Sequence, residues 1–245
     1  MNYPEYKWME GAYVKKGESM IRHIIIEIGK DVPYWLAAFE PEGIGDSYTS
    51  IFRYADVKAV TAKHWKGEAI GDFFVDIDAS DTDNLKDALL FTRKFLSELN
   101  TIVPYLYIKC RFSGAKGFHI EVPFEAFGAE PSNMIHLYWK FIARVIAERT
   151  LGRPLKKGEK IIDMGRYSIR QLWRLTNTVN LKTGLYKIPL YPKEILEMSI
   201  ADITELARSP RTIGEETCPG VIESAQKLYQ QAMKFHAGIT WWFQK

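Results

Sequence analysis

The sequence predicts an α+β fold. Stretches with strand character and stretches with helical spacing are interleaved. An apparent β-hairpin sits in the middle of that order, which favours a mixed or antiparallel sheet over a purely parallel, doubly wound one. With 47% hydrophobic residues, a chain of 245 can bury a core as one large domain, or as one domain with a small lobe.

Taken in order, "SMIRHIIIEIG" fits strand or helix, while "PYWLAAFE" and "YTSIFRYADV" read as strands. "HWKGEAIGDFFVDID" is a turn feeding a strong strand. "TDNLKDALLFTRKFLSELN" is a helix, with Leu85, Ala88, Leu89, Phe95, Leu96 and Leu99 at helical spacing and Asp81 or Thr82 as a candidate cap. "YLYIKCRFSGAKGFHIEVPF" is rich in aromatic and β-branched residues on both sides of Gly114-Ala-Lys-Gly117, the pattern of two strands joined by a tight turn. "SNMIHLYWKFIARVIAERTLG" is a helix capped by Ser132 and ended by Gly152. "EKIIDMG" reads as a short strand, and "RYSIRQLWRLTNTVNLKTGLYKIPL" as a turn of helix followed by a strand hairpin. Helices over 192–209 and 221–236, the second stopping before Gly238, complete the pattern.

No apolar run approaches the roughly 20 residues of a membrane span. The start "MNYPEYKWMEG" lacks the basic and apolar regions of a signal peptide. Cys110 and Cys218 allow one disulfide at most and no cysteine-based zinc site; free thiols in a reducing cytoplasm are the expectation. The net charge of +3 singles out no partner, but its distribution is uneven. Six acids and three bases lie between Phe73 and Asn100, whereas nine bases and two acids lie between Arg153 and Lys187. An acidic focus beside a basic strip suits a site for cations and a polyanion; two differently solvated faces would give the same balance.

Three groups of residues carry possible chemistry. Asp76 and Asp78 interrupt the apolar run "FFVDIDAS". At i and i+2 of a strand they share a face. A divalent cation would relieve both their repulsion and their burial; a solvated strand end is the plain alternative. Next, "SGAKGFHI" places Ser113, Lys116 and His119 around Gly114 and Gly117. Glycines let an anion approach the backbone, and these three side chains are candidate phosphate partners; an ordinary hairpin turn with a core histidine is the alternative. The P-loop pattern is absent, and strand rather than helix follows. Finally, Asp163 ends an apolar run and could be a third carboxylate on the same cations. Arg170 and Arg174, at i and i+4, would share a face of a helical turn and suit two-point phosphate binding, or would form a solvated face. Lys182 lies in a Lys-Thr-Gly turn.

Taken together, these groups resemble the motif series of the archaeo-eukaryotic primase superfamily: a carboxylate pair on a strand, a Ser-Gly-x-Lys-Gly-x-His hairpin, a single Asp, then an Arg and a Lys-Thr-Gly-Leu tail. The resemblance covers about Phe73 to Leu190. It implies a primase-type core with an RRM-like sheet flanked by helices (67–190), an N-terminal α/β module (1–66) and a C-terminal helical segment (191–245). It implies a template-dependent nucleotidyltransferase, a DNA primase or polymerase, that makes or extends primers from NTP or dNTP. Asp76, Asp78 and Asp163 would be the catalytic ligands of two divalent cations, Mg²⁺ or Mn²⁺, about 3.5–4 Å apart. Ser113, Gly114, Lys116, Gly117, His119, Arg174 and Lys182 would bind the nucleotide. His119 would act as a phosphate donor, its ring protonated once phosphate is bound. Single-stranded or primed DNA would be the template, held by Lys156, Lys157, Lys160, Arg166 and Arg170. Trp65, Trp241 and Trp242 read as packing residues rather than stacking platforms.

Two departures stand out. Asn180 occupies a position where cellular primase small subunits often carry a histidine, and "RLTNT" replaces "RLPGS". The family's zinc knuckle is also missing. Both features resemble the primase-polymerases of mobile elements and defence systems, the CRISPR-associated subgroup first among them. The expected location is cytoplasmic and nucleoid-associated, with no membrane partner. The apolar ending "GITWWFQK" reads as a domain within a longer polypeptide. A polymerase that only extends ends, and a nucleic-acid-binding subunit without activity, are the rival readings.

Overall fold

The computed structural model describes residues 3–15, 17–29, 44–79 and 84–242. Among these the fold is α+β, with three antiparallel sheets and six helices. "PYWLAAFE" and the proposed caps Asp81 and Thr82 lie outside the described residues, as do the side chains of Trp241 and Trp242.

The first sheet has the order β2-β1-β3-β9, with β1 at Trp8–Lys15, β2 at Ile21–Glu27, β3 at Ile44–Ser50 and β9 at Leu172–Arg174. The run left open between strand and helix is thus strand β2. The second sheet has the order β10-β7-β8-β6, with β6 at Phe73–Asp78, β7 at Lys109–Phe112, β8 at Gly117–Val122 and β10 at Ile188–Leu190. A two-stranded ribbon pairs β4 (Phe52–Arg53) with β5 (Ile70–Gly71). Helix α1 covers Lys58–Thr61.

Strand β6 is covered on both faces. Phe73 packs edge-on against Trp139 and against Phe127 on the helical side, where Trp139 Nε1 donates to Gly71 O at 3.1 Å. Phe74 points the other way, toward Phe52, Tyr167 and Trp173. Alternation therefore puts Asp76 and Asp78 on the Phe74 side, turned toward the first sheet's β9, while Val75 and Ile77 join the helical layer. That layer is α2 (Leu85–Asn100), whose apolar stripe is buried as its spacing predicts, and α3 (Ile135–Leu151), which buries Ile135, Trp139, Ile142, Ala143, Ile146 and Ala147 and leaves Leu137, Tyr138, Phe141 and Val145 half-buried.

The structure shifts several boundaries. Ser132 Oγ accepts from Met134 N–H, and α3 begins only at Ile135. "EKIIDMG" is not a strand: it makes a single bridge, Ile77 to Ile162, because Asp163 turns the chain by accepting from Gly165 N–H at 2.9 Å. "RYSIRQ" is a series of turns rather than a helical turn. A hairpin does form around Leu181–Thr183, bridged between Val179 and Tyr186, but the flanking strands β9 and β10 go to different sheets. The helix expected over 192–209 splits into α4 (Pro192–Glu197) and α5 (Ile200–Leu206). Ser199 and Asp202 form a capping box that starts α5, and Arg93 binds the carbonyls of Ile195 and Met198 at the break. Helix α6 (Glu223–Trp242) runs through Gly238 instead of stopping before it. Both cysteines are free, Cys110 buried and Cys218 half-buried. No helix among the described residues is long and apolar enough to cross a membrane.

Candidate active site

The β6–β8 register sets the heart of the site. Asp76 lies opposite His119, and Asp78 opposite Gly117. Lys116, one residue earlier, reaches Asp78 Oδ2 at 3.0 Å. The glycines at the turn are required by space. Gly114 has φ +77°, and a Cβ there would come within 2.8 Å of Leu185 O. A Cβ on Gly117 would come within 2.0 Å of Ile77 O. Ser113 Oγ accepts from Ala115 N–H and Gly117 N–H, so its own hydrogen is left to donate.

Asp163 lies beside Asp76 along the main chain: its N–H donates to Asp76 O at 3.0 Å. Its carboxylate accepts from Arg166 Nε at 2.9 Å, and the same nitrogen lies 3.6 Å from Asp76 Oδ2. Arg166, expected on a nucleic-acid strip, thus stands among the carboxylates. Arg170 corrects the expectation more sharply. It shares no face with Arg174, and its guanidinium binds the fully buried Glu10 carboxylate at 3.0 Å, with the carbonyls of Val60 and Ala62. A buried acid draws its cation inward, leaving nothing for a phosphate chain.

From the first sheet, Arg174 leans across. Its Nη1 donates to Ser113 O at 2.8 Å, its Nε lies 3.1 Å from Asp46 Oδ1, and its guanidinium stands 5.8 Å over the Tyr48 ring. A cavity of about 540 Å³ lies between the sheets, lined by Asp76, Asp78, Ser113, Lys116, His119, Arg166, Arg174 and Lys182, with Asp46, Tyr48 and Asn180. Lys156, Lys157 and Lys160 line a neighbouring cleft that begins at Asp78. Lys140 and Arg144 continue the basic wall beyond Lys156 and Lys157.

Asp46 and Tyr48 carry no reading in the sequence and Asn180 figures there only as a departure from the resembled motif; the buried pair behind the site, Glu121 and Lys187, carries none either. The last two carried a usable signal: each interrupts an apolar run, "FHIEVPF" and "LYKIPL", as Asp76 and Asp78 do.

The charges are unequal. Burial raises Asp76, but His119, Arg166 and Lys187 outweigh it and hold the carboxyl below the usual range. Burial and then the Asp76 charge raise Asp78, against Lys116. Burial and Lys187 push His119 down to about 4, against Asp76, so the ring as arranged is neutral rather than protonated; an arriving phosphate would raise it. Its Nδ1 is buried and has no hydrogen-bond partner among the described residues.

Divalent cations are implied by the resemblance. Asp76 Oδ1 is buried, with His119 Nε2 at 3.4 Å and no hydrogen bond of good geometry among the described residues. An unsatisfied carboxylate oxygen beside two further acids fits a hard, oxygen-seeking cation. Among the described residues no three His, Cys, Asp or Glu side chains converge as a finished ligand set. In this arrangement Lys116 and Arg166 supply the positive charge.

Glu121 gives a pH-dependent expectation. Burial raises its carboxyl, but Arg111, Lys187 and the Trp173 N–H outweigh it and bring it to about 2, from an ordinary 4.5. The unfolded chain then binds this proton more tightly than the folded protein. Glu121 therefore adds stability above about pH 4.5, which is lost as the pH falls toward about 2. A Glu121→Gln protein should be less stable than wild type by about 3 kcal/mol at neutral pH, the gap narrowing below pH 4.5. Urea unfolding at a series of pH values checks this; a gap independent of pH refutes it.

No protein-family model and no curated protein matches the chain.

Proposed function

We propose that this protein is a nucleotidyltransferase of the archaeo-eukaryotic primase type, which adds nucleotides to a strand paired with a DNA template. One observation carries this reading. Asp76 and Asp78 line a cavity whose walls carry Ser113, Lys116, Arg174 and Lys182, and Asp163 is tied to Asp76 through its main-chain N–H and through Arg166, which stands between their carboxylates. Acids for cations and cations for a triphosphate thus face each other. The volume, about 540 Å³, falls in the usual range for small-molecule sites.

The chain's own residues would bind, orient and neutralise. Ser113 has a free donor for a phosphate oxygen, while Lys116, Arg174 and Lys182 offer charge. His119 lines the cavity, its Nε2 3.4 Å from Asp76 Oδ1. Asp76, Asp78 and Asp163 would hold divalent cations, which when bound activate a hydroxyl nucleophile and neutralise the leaving pyrophosphate. Positioning and electrostatics then carry most of the rate, as is general for phosphoryl transfer. The template would lie along Lys156, Lys157 and Lys160, which run up to Asp78; such contacts hold a strand without reading it.

The test is incorporation of dNTP on a primed DNA template with Mg²⁺ or Mn²⁺. Template-directed extension is the expected result, and omitting the primer separates strand initiation from extension alone. Binding of DNA and nucleotide with no incorporation under either cation would overturn the reading in favour of a non-catalytic subunit.

A further inference from the structure

The cavity wall is assembled from two sheets that share no strand pairing. Its first-sheet side ends at β9, a three-residue edge strand paired, among the described residues, with β3 alone. Its second-sheet side is β6 and β8. What fixes one sheet against the other therefore also fixes Arg174 against the carboxylates.

Lys187 makes that connection. It immediately precedes β10 in the second sheet and is fully buried. Its Nζ donates to the Arg174 main-chain carbonyl at 2.6 Å, on the open edge of β9, where a further strand would otherwise bind. The same ammonium stands 5.0 Å over the Trp173 ring and 4.0 Å from Glu121 Oε1. Glu121, in β8, accepts from Trp173 Nε1 at 2.7 Å, and the Trp173 ring lies 4.2 Å from that of His119. Every partner of the ammonium is thus a group that holds Arg174 or His119 in place.

We propose that Lys187 is a positioning residue of the nucleotide site, its buried ammonium setting β9, and with it Arg174, against the hairpin that carries Ser113 and His119. The proposal rests on the nucleotidyltransferase reading. A buried cation is costly unless paired, and here an apolar side chain of equal size would leave the Arg174 carbonyl without its donor. Burial, joined by the charges of Arg111 and Arg174, pushes Lys187 down to about 7 against the pull of Glu121 and Asp76. Glu121 is thus the partner that most favours its charged form.

Calorimetric titration of dATP in Ca²⁺ tests this with the wild type, Lys187→Met, Arg174→Ala and the double variant, each melted to confirm folding. Lys187→Met should weaken dATP binding about tenfold. In the Arg174→Ala background the same change should cost less than about twofold, because Lys187 acts through Arg174. A purely structural role would weaken both backgrounds equally and overturn the proposal, as would wild-type affinity in folded Lys187→Met or in Arg174→Ala. Should Lys187→Met not fold, Glu121→Gln enters the same cycle with the same expectation. A wild type that binds no dATP strikes the nucleotide reading itself, whereas failure confined to the variants strikes only the role of Lys187.

Discussion

An Asp76→Asn protein should extend a primed template on the order of 10³-fold more slowly than wild type while still melting cooperatively. The substitution keeps shape and removes charge where charge is most concentrated. Asp76 faces His119, Arg166 and Lys187, and its Oδ1 is the buried oxygen that makes no hydrogen bond of good geometry among the described residues. An amide cannot neutralise that surrounding positive charge and is a poorer ligand for a hard cation. Asp78 should respond as well: without the neighbouring charge that raises it, its carboxyl should titrate lower. Primer-extension rates measured beside thermal melts check the prediction. Near-wild-type extension by Asp76→Asn would remove Asp76 from the chemistry.

Gly117→Ala should be the most damaging single methyl group in the site. Its Cβ would lie 2.0 Å from Ile77 O, 2.9 Å from Ile77 C and 2.6 Å from Asp78 Oδ1. Two of these are backbone atoms of the paired strand, so no side-chain rotation relieves them. Since Gly117 lies opposite Asp78, the β6–β8 ladder must open at the carboxylate. The expected loss is about 3 kcal/mol of stability together with most of the extension activity. Denaturant unfolding measures the first and primer extension the second. An alanine protein that is as stable and as active as wild type would show that the close approach is not needed.

The parts of the site that were legible in the sequence are those where a local pattern is broken. Acids inside "FFVDIDAS" contradict a buried strand, and glycines around Lys116 demand a turn. Helices α2 and α3 were legible for the opposite reason, since their apolar spacing is unbroken. The first-sheet wall was not legible. Asp46 and Tyr48 reach the cavity because β3 pairs with β9, more than a hundred residues away, and no local pattern encodes such a pairing. The same recruitment explains Arg174: an i, i+4 spacing reads as helix, but β3 draws residues 172–174 into a strand while Glu10 takes Arg170. The break between α4 and α5 is different, because Ser199 and Asp202 have capping-box spacing and could have been read.

The two cations set among the carboxylates, Lys116 against Asp78 and Arg166 against Asp163, have a consequence for how this pocket keeps its form. Neighbouring acids left to themselves push a strand end apart. Here Asp78 and Asp163 each have a counter-ion tethered to the chain, which offsets part of that repulsion at the strand end. A ligand that binds there must therefore exchange partners with Lys116 and Arg166, while the Asp76 charge that still raises Asp78 is left for a cation to relieve.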